Sequence, residues 1–379
     1  MMELNVNKTI NHLFRGSSWL LVSQIIPTII KYSKFKHHFI ININESGLQE
    51  KYDTLFSNLG YADYEYWGAL SSANKYVTQN KVNFFAKLRS RYRAYLSAKK
   101  MNNIIIHSEM NNSIFYFLHT SESAWCCWGN TSQIKHTKWY HFFYKDFWYK
   151  LFLDRCKMII TLTDLDKKAF EDAYGYSKII LSSYSYIYDF KALKPREKYS
   201  GNRVLIGNNA CYLEEYLDIA MKLAHLQGLD LTFMCSYGVN HESIYYQNWR
   251  KNIEEVLGHK NKISFWTNNL SLADYNKEMS SYDVYICPVK RQTGLGALTT
   301  AISLGIKCYC IGVNYDYFKK KELNIFSCLD LSDITEASLL NFDKDMRQNN
   351  ILLSSEKCSC HQSVEEWENI YSNLLKNLS

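Results

Sequence analysis

Residues 283–307, DVYICPVKRQTGLGALTTAISLGIK, hold the pattern with the most chemical content. An apolar run ends at Pro288, Lys290 and Arg291 follow, and Gly294-Leu295-Gly296 opens a helical stretch that closes at Gly305. Glycines at a strand-to-helix turn let the backbone approach a phosphate, and the first helical turn offers unpaired N–H groups at the positive end of the dipole. Two neighbouring cations suit a diphosphate. The same residues also make a plain tight turn with solvated basic side chains, and the local pattern leaves both readings open. Asp164-Leu165-Asp166 spells a metal-binding DxD, but it follows Thr163 at a strand-to-helix junction, where first-turn acids complement the dipole. Cys358-Ser359-Cys360-His361 has no fourth ligand at zinc spacing, and Cys308 and Cys310 share one face of an apolar strand. The expectation is a capping role for the acids, core roles for Cys308 and Cys310, and no metal.

Elements able to position the glycine turn recur along the chain. Short β-branched or aromatic runs predict strands at 10–13, 38–43, 103–107, 123–128 and 157–161. A second set follows at 203–206, 230–235, 262–266, 283–288 and 307–311. Amphipathic stretches lie between them; in EEYLDIAMKLAHLQG the apolar face is read as Leu217, Met221, Ala224 and Leu226. Strand and helix in alternation predict α/β architecture with parallel sheets covered on both faces. The polar segment 189–202, with Pro195 and Gly201, divides two runs of similar length. The expected organisation is an N-terminal Rossmann-like domain at 1–190 and a C-terminal one at 200–361. A helix at 362–379 follows, with Trp367, Ile370, Leu374 and Leu378 on one face. Ligands then belong at the carboxyl ends of the strands, in a crevice between the halves.

Composition bounds the function. The chain has 379 residues, 47% apolar and 21% charged, which excludes disorder as a class and leaves room for two or three cores. Its 11 cysteines, odd in number and scattered, read as reduced thiols in a cytosolic protein. No stretch of about 18 apolar residues predicts a membrane span, and the first residues lack the form of a secretory signal. The net charge of +7 is uneven: Lys75 to Lys100 carries eight cations, Arg89, Arg91 and Arg93 among them, and no acid. Tyr76, Phe84, Phe85, Leu88, Tyr92, Tyr95 and Leu96 are interleaved, which gives an amphipathic basic helix. With the aromatic run KWYHFFYKDFWYK at 138–150, it suits an anionic headgroup interface. One basic helix on an otherwise near-neutral chain is too little for a nucleic-acid-binding protein.

The turn at 288–296 resembles that of glycosyltransferases with the two-domain GT-B fold, whose C-terminal domain lays the nucleotide-sugar diphosphate on it. Thr293 and Ala301 stand where many retaining members carry an E-x7-E pair. RQTGLGALTTAISLGIK is similar to the R-Q-Q-G-I-G-T-L…I-Q-A-G-I-P segment of the TDP-4-acetamido-4,6-dideoxygalactose (Fuc4NAc) lipid II transferases. VLIGNNA at 204–210 resembles that family's I-L-V-G-N-S-G, and Trp125, Trp128 and Gly129 its W-x-x-W-G-A-D. Asn130 and Thr131 replace the alanine and aspartate of that motif, and Thr293 replaces a glutamine. The likeness runs in order over roughly 100–375.

The resemblance implies an inverting, metal-independent transferase without cofactor. It would move a deoxy-amino sugar from a nucleotide diphosphate, dTDP by analogy, to an undecaprenyl-diphosphate-linked oligosaccharide in bacterial surface-polysaccharide assembly. By the same likeness Gly207, Asn208 and Asn209 line the first turn of the C-terminal domain, facing donor phosphate or acceptor, and Arg291, Gln292, Gly294 and Gly296 hold diphosphate and sugar. Tyr237 borders the site and Trp266 meets the nucleotide base or serves as core. Inversion needs a base on the acceptor hydroxyl; His107, matching a histidine of the family's F-F-H-G-Q, and Glu109 are the candidates, with His12 as competitor. Arg89, Arg91, Arg93, Trp125 and Trp128 are expected on the acceptor- and membrane-facing side of a protein peripheral to the cytoplasmic face of the inner membrane. Rival readings are a GT-B-shaped polysaccharide pyruvyltransferase, a nucleic-acid-binding protein and a scaffold.

Overall fold

A computed structural model describes residues 8–43, 47–67, 101–107, 123–128, 147–175, 179–181, 201–358 and 360–376, with positions 92, 96, 193 and 195. The chain divides into two compact units, Met1–Ile187 with Ser363–Ser379, and Tyr188–Gln362. The first holds β1 (Thr9–Arg15), β2 (Lys36–Asn42), β3 (Tyr64–Trp67), β4 (Ile104–His107), β5 (Ser123–Cys126), β6 (Met158–Thr161) and β7 (Ile179–Leu181). They form one sheet in the order β3-β2-β1-β4-β5-β6-β7, every pair parallel. The second holds β8 (Arg203–Ile206), β9 (Asp230–Met234), β10 (Lys262–Trp266), β11 (Val284–Cys287), β12 (Lys307–Cys310) and β13 (Phe326–Ser327). Their order, β10-β9-β8-β11-β12-β13, is also wholly parallel. Both orders reverse direction beside the first strand of the unit, which makes β1/β4 and β8/β11 the two switch points where such sheets bind ligands.

Helices cover the sheets. In the first unit these are α1 (Trp19–Tyr32), α2 (Leu48–Asn58), α3 (Phe147–Arg155) and α4 (Asp164–Tyr174). In the second, α5 (Leu213–Leu223), α6 (Ile244–Leu257), α7 (Leu272–Met279), α8 (Leu295–Ser303), α9 (Val313–Lys320), α10 (Glu336–Leu340) and α11 (Lys344–Lys357) follow their strands in turn. Strand alternation sorts the core into two faces. Val204, Ile206, Leu231, Phe233 and Ile286 meet Leu213, Ile219, Trp249 and Ile253 of α5 and α6. Leu205, Tyr285, Cys287, Cys308 and Cys310 meet Leu298, Ala301, Ile302 and Phe318 of α8 and α9. Cys308 and Cys310 are therefore core residues, and both are free thiols.

The buried face of α5 is Leu213, Tyr216, Ile219, Ala220 and Leu223. The face read from sequence is rotated from it, and Met221 is 54% exposed. Leu217 and Ala224 lie on the flank between, partly buried against the same core, and Leu226, just past the helix, is buried as expected.

The last helix, α12 (Cys360–Leu375), joins the first unit from Ser363 onward. Trp367, Ile370, Tyr371 and Leu374 are buried in it. Glu368 anchors one side by accepting from Ser33 Oγ and from Lys34 N, the latter at 3.3 Å. Lys157 Nζ donates to the carbonyls of Leu374 (2.8 Å) and Lys376, which satisfies the free acceptors at the helix end and faces its negative pole.

Candidate functional site

Two strand-to-helix turns meet at the β8/β11 switch point of the second unit. After β8, Gly207 N donates to Ile286 O at 2.8 Å, and the chain turns with Gly207 at φ +82°. A side chain on Gly207 would run into the Tyr216 ring from α5, so only glycine lets that ring lie there. Asn208 N and Asn209 N donate to Tyr216 Oη at 3.0 and 3.2 Å. Asn209 Oδ1 then caps the next turn by accepting from Cys211 N at 2.8 Å. Tyr237, 47% exposed, lies three residues beyond the end of β9 at Met234, and its carbonyl accepts from Ala210 N at 2.6 Å.

After β11, Lys290 and Arg291 project into solvent while Gln292 is 8% exposed, with no partner for its Oε1. Gly294 stands before α8 at φ +65° with no side-chain cap on the helix. The first intrahelical bond runs from Leu298 N to Gly294 O at 2.9 Å, so the N–H groups of Leu295, Gly296 and Ala297 precede it. The two turns touch: Asn208 Nδ2 donates to Thr293 Oγ1 at 3.3 Å and lies 2.9 Å from where a Gly294 Cβ would stand. The β12 turn braces them from the other side. Asn314, fully buried in α9, donates from Nδ2 to Thr293 O at 2.7 Å, and Val313 N donates to Lys290 O at 3.1 Å. Gly207, Asn208, Asn209, Tyr237, Arg291, Gln292, Gly294 and Gly296 are thus brought to one carboxyl edge. Two open cations and three uncapped amides on it can receive a diphosphate.

Sequence reasoning missed Tyr216 and Asn314. Asn314 had a signal, since Gly312-Val313-Asn314 follows β12 as a third glycine turn. Tyr216 had none, being one aromatic among the apolar residues of a helix. Trp266 ends edge strand β10, half-buried, with Nε1 donating to Asn268 O at 2.9 Å and its ring on Tyr275.

In the first unit, His107 is the last residue of β4 and is 2% exposed. It lies in a row of three buried histidines: His107 Nε2 is 3.0 Å from His12 Nδ1, and His12 Nε2 is 2.9 Å from His37 Nδ1. Phe14 and Trp367 stack on the His107 ring, and Tyr371 packs edge-on to His12. Burial drives His37 and His107 down to about 3, and burial together with the neighbouring His37, His107 and His38 holds His12 well below its ordinary value. All three are neutral at pH 7, and His107 is enclosed rather than presented to an acceptor. Trp125 differs from expectation as well. It is 2% exposed, sits in the core of the first sheet and meets Phe170 edge-on, because its position on central strand β5 points inward. Trp128, half-buried, packs near Phe14 and His107. Glu109, Arg89, Arg91 and Arg93 lie outside the described residues, and within the basic segment Tyr92 and Leu96 are helical and exposed. Thr163 caps α4, its Oγ1 accepting from Asp166 N at 3.1 Å and donating to Asp166 Oδ2 at 2.6 Å, which fits the expected capping role of the acid.

No protein-family model and no curated protein matches the sequence. Solved structures do match over nearly the whole chain. HepE of Anabaena, in complex with UDP and glucose, superposes with a TM-score of 0.67 at 11% identity, covering 96% of this chain and 99% of its own. TarM, solved from S. aureus, gives 0.67 at 9% identity over 98% and 100%. Sucrose-phosphate synthase of Thermosynechococcus elongatus gives 0.65 at 10% over 96% and 98%. At such identity what is shared is the fold, two parallel Rossmann-like sheets of GT-B type.

Proposed function

We propose that the protein is a glycosyltransferase whose second unit binds the nucleoside diphosphate of a sugar donor at residues 290–297. The observation that carries this is the convergence of the Gly207 and Gly294 turns at the β8/β11 switch point, with uncapped α8 amides beside Lys290 and Arg291. Structures of similar fold, HepE and a TarM variant, were solved in complex with UDP, which supports the same ligand class here. In transfer, charge grows on the leaving diphosphate as the anomeric C–O bond breaks. The Leu295, Gly296 and Ala297 amides are fixed donors for that charge and the exposed Arg291 guanidinium adds a positive one, so in this reading the chain supplies its own electrostatic stabilisation without a metal.

The finer reading rests on the sequence likeness: a deoxy-amino sugar such as Fuc4NAc, a dTDP donor, inversion, and a polyprenyl-diphosphate-linked acceptor met at an anionic membrane. With His107 enclosed, Glu109 is the base of this reading, tested by a Glu109→Gln variant that keeps donor binding and loses turnover. Incubation with nucleotide sugars and a polyprenyl-diphosphate-linked acceptor tests the reaction. Release of nucleoside diphosphate with an inverted product is expected; release of inorganic phosphate from phosphoenolpyruvate would establish the pyruvyltransferase instead. Failure to bind anionic liposomes at low salt would remove the membrane partner.

A further inference from the structure

Two glycine turns meet at the β8/β11 switch point, yet they differ in what their amides do. At the first, Asn208 N and Asn209 N both donate to Tyr216 Oη, and Oη donates to Asn209 O. A phenol oxygen has one proton and two acceptor sites, so these three bonds saturate it and occupy both amides. The phenol is fully buried, and that burial holds its pKa well above the ordinary value, keeping it a neutral hydroxyl. A phosphate oxygen arriving at this turn finds the Gly207, Asn208, Asn209, Ala210 and Cys211 amides already donating to other groups. At the second turn, Gly294 leaves the first amides of α8 uncapped.

We infer that Tyr216 is a positioning residue that closes the Gly207 turn to phosphate, directs the donor diphosphate to the Gly294 turn, and holds Asn208 against that turn. The link runs through one side chain. Asn208 Nδ2 reaches Thr293 Oγ1 at 3.3 Å, and Asn208 Oδ1 accepts from Asn209 Nδ2 at 3.1 Å, so the path of the Tyr216-bound backbone sets where the carboxamide stands. Gly294 has no side chain, and the Asn208 carboxamide fills the space a Cβ would take. This deepens the nucleotide reading and depends on it.

The test is calorimetric titration of the full chain with UDP, dTDP and GDP, using wild type, Tyr216→Phe, Asn208→Ala and the double variant, with melting temperatures alongside. The nucleotide that binds wild type is expected to lose roughly fivefold to tenfold in affinity with either single change, the scale of one or two lost hydrogen bonds. The double variant should lose no more than the larger single loss, because both act along one path. A Tyr216→Phe protein that melts lower but binds with unchanged affinity, or losses that simply multiply in the double variant, would overturn the inference. Should Tyr216→Phe not fold, Asn208→Ala decides: reduced affinity at near-normal melting temperature supports the inference, and unchanged affinity overturns it. Absence of nucleotide binding by wild type would instead remove the functional reading beneath it.

Discussion

Gly207 and Gly294 both occupy left-handed backbone, yet substitution should separate their roles. Alanine at Gly207 meets the Tyr216 ring, which is fully buried and has nowhere to move. Left-handed strain and overpacking together should cost about 3 kcal/mol and show as a marked fall in melting temperature. Alanine at Gly294 presses on the Asn208 side chain at 2.9 Å, a lighter clash than that at Gly207, so the cost is about 1–2 kcal/mol, mostly backbone strain. There the larger effect should be on nucleotide affinity; equal stability losses with normal binding would contradict this account of the turn. The histidine row makes a separate prediction. A histidine whose folded pKa lies below its unfolded 6.5 stabilises the fold fully above that value and loses the contribution as pH falls through and below it. Each of His12, His37 and His107 should therefore add up to about 1.4 kcal/mol per pH unit of destabilisation below pH 6. His38 opposes them: burial disfavours its charge, but Glu65 and Asp63 outweigh that and raise its pKa. The net expectation is a melting temperature that drops steeply from pH 7 to 5, and less steeply in His12→Gln. A flat profile would contradict the burial of the row.

Among the elements, the ten strands read from sequence are all present, and the three that escaped, β3, β7 and β13, are all at sheet edges. Central strands such as β4 and β11 are buried on both faces and show as β-branched or apolar runs. Edge strands have one open side: YEYW of β3 is half-buried at three of four positions, and β13 has two residues, so neither pattern stands out. The Gly294 turn was legible because glycine, cation and helix spacing are local, whereas the Tyr216 plug spans α5 and the β8 turn and has no local signature. The inward turn of Trp125 escaped for a related reason, since a tryptophan motif does not say which way the strand faces. For α12, the apolar stripe was legible but its partner was not: it covers the face carrying His12, His37 and His107. Replacing Trp367 by alanine should destabilise the first unit by about 3–5 kcal/mol, read by urea denaturation. A loss under 1 kcal/mol would show that α12 is not holding that face.

For the molecule as a whole, two parallel sheets with reversed strand order give each unit its own switch point, and the described chemistry lies at that of the second. The first unit contributes an enclosed histidine row and, in its sequence, the basic and aromatic segments expected to meet an anionic surface. The described residues contain no helix long and apolar enough to cross a membrane. The central claim is that a nucleoside diphosphate binds beside Arg291. It is tested most directly by thermal stabilisation of wild type and Arg291→Ala with dTDP, UDP, GDP and phosphoenolpyruvate. At one hundred times its Kd, a ligand that binds only the folded protein adds about 2.7 kcal/mol of stability. The account predicts that one nucleoside diphosphate raises the wild-type melting temperature and that Arg291→Ala loses most of the rise. Stabilisation by none of them, or equal stabilisation of both proteins, would contradict it.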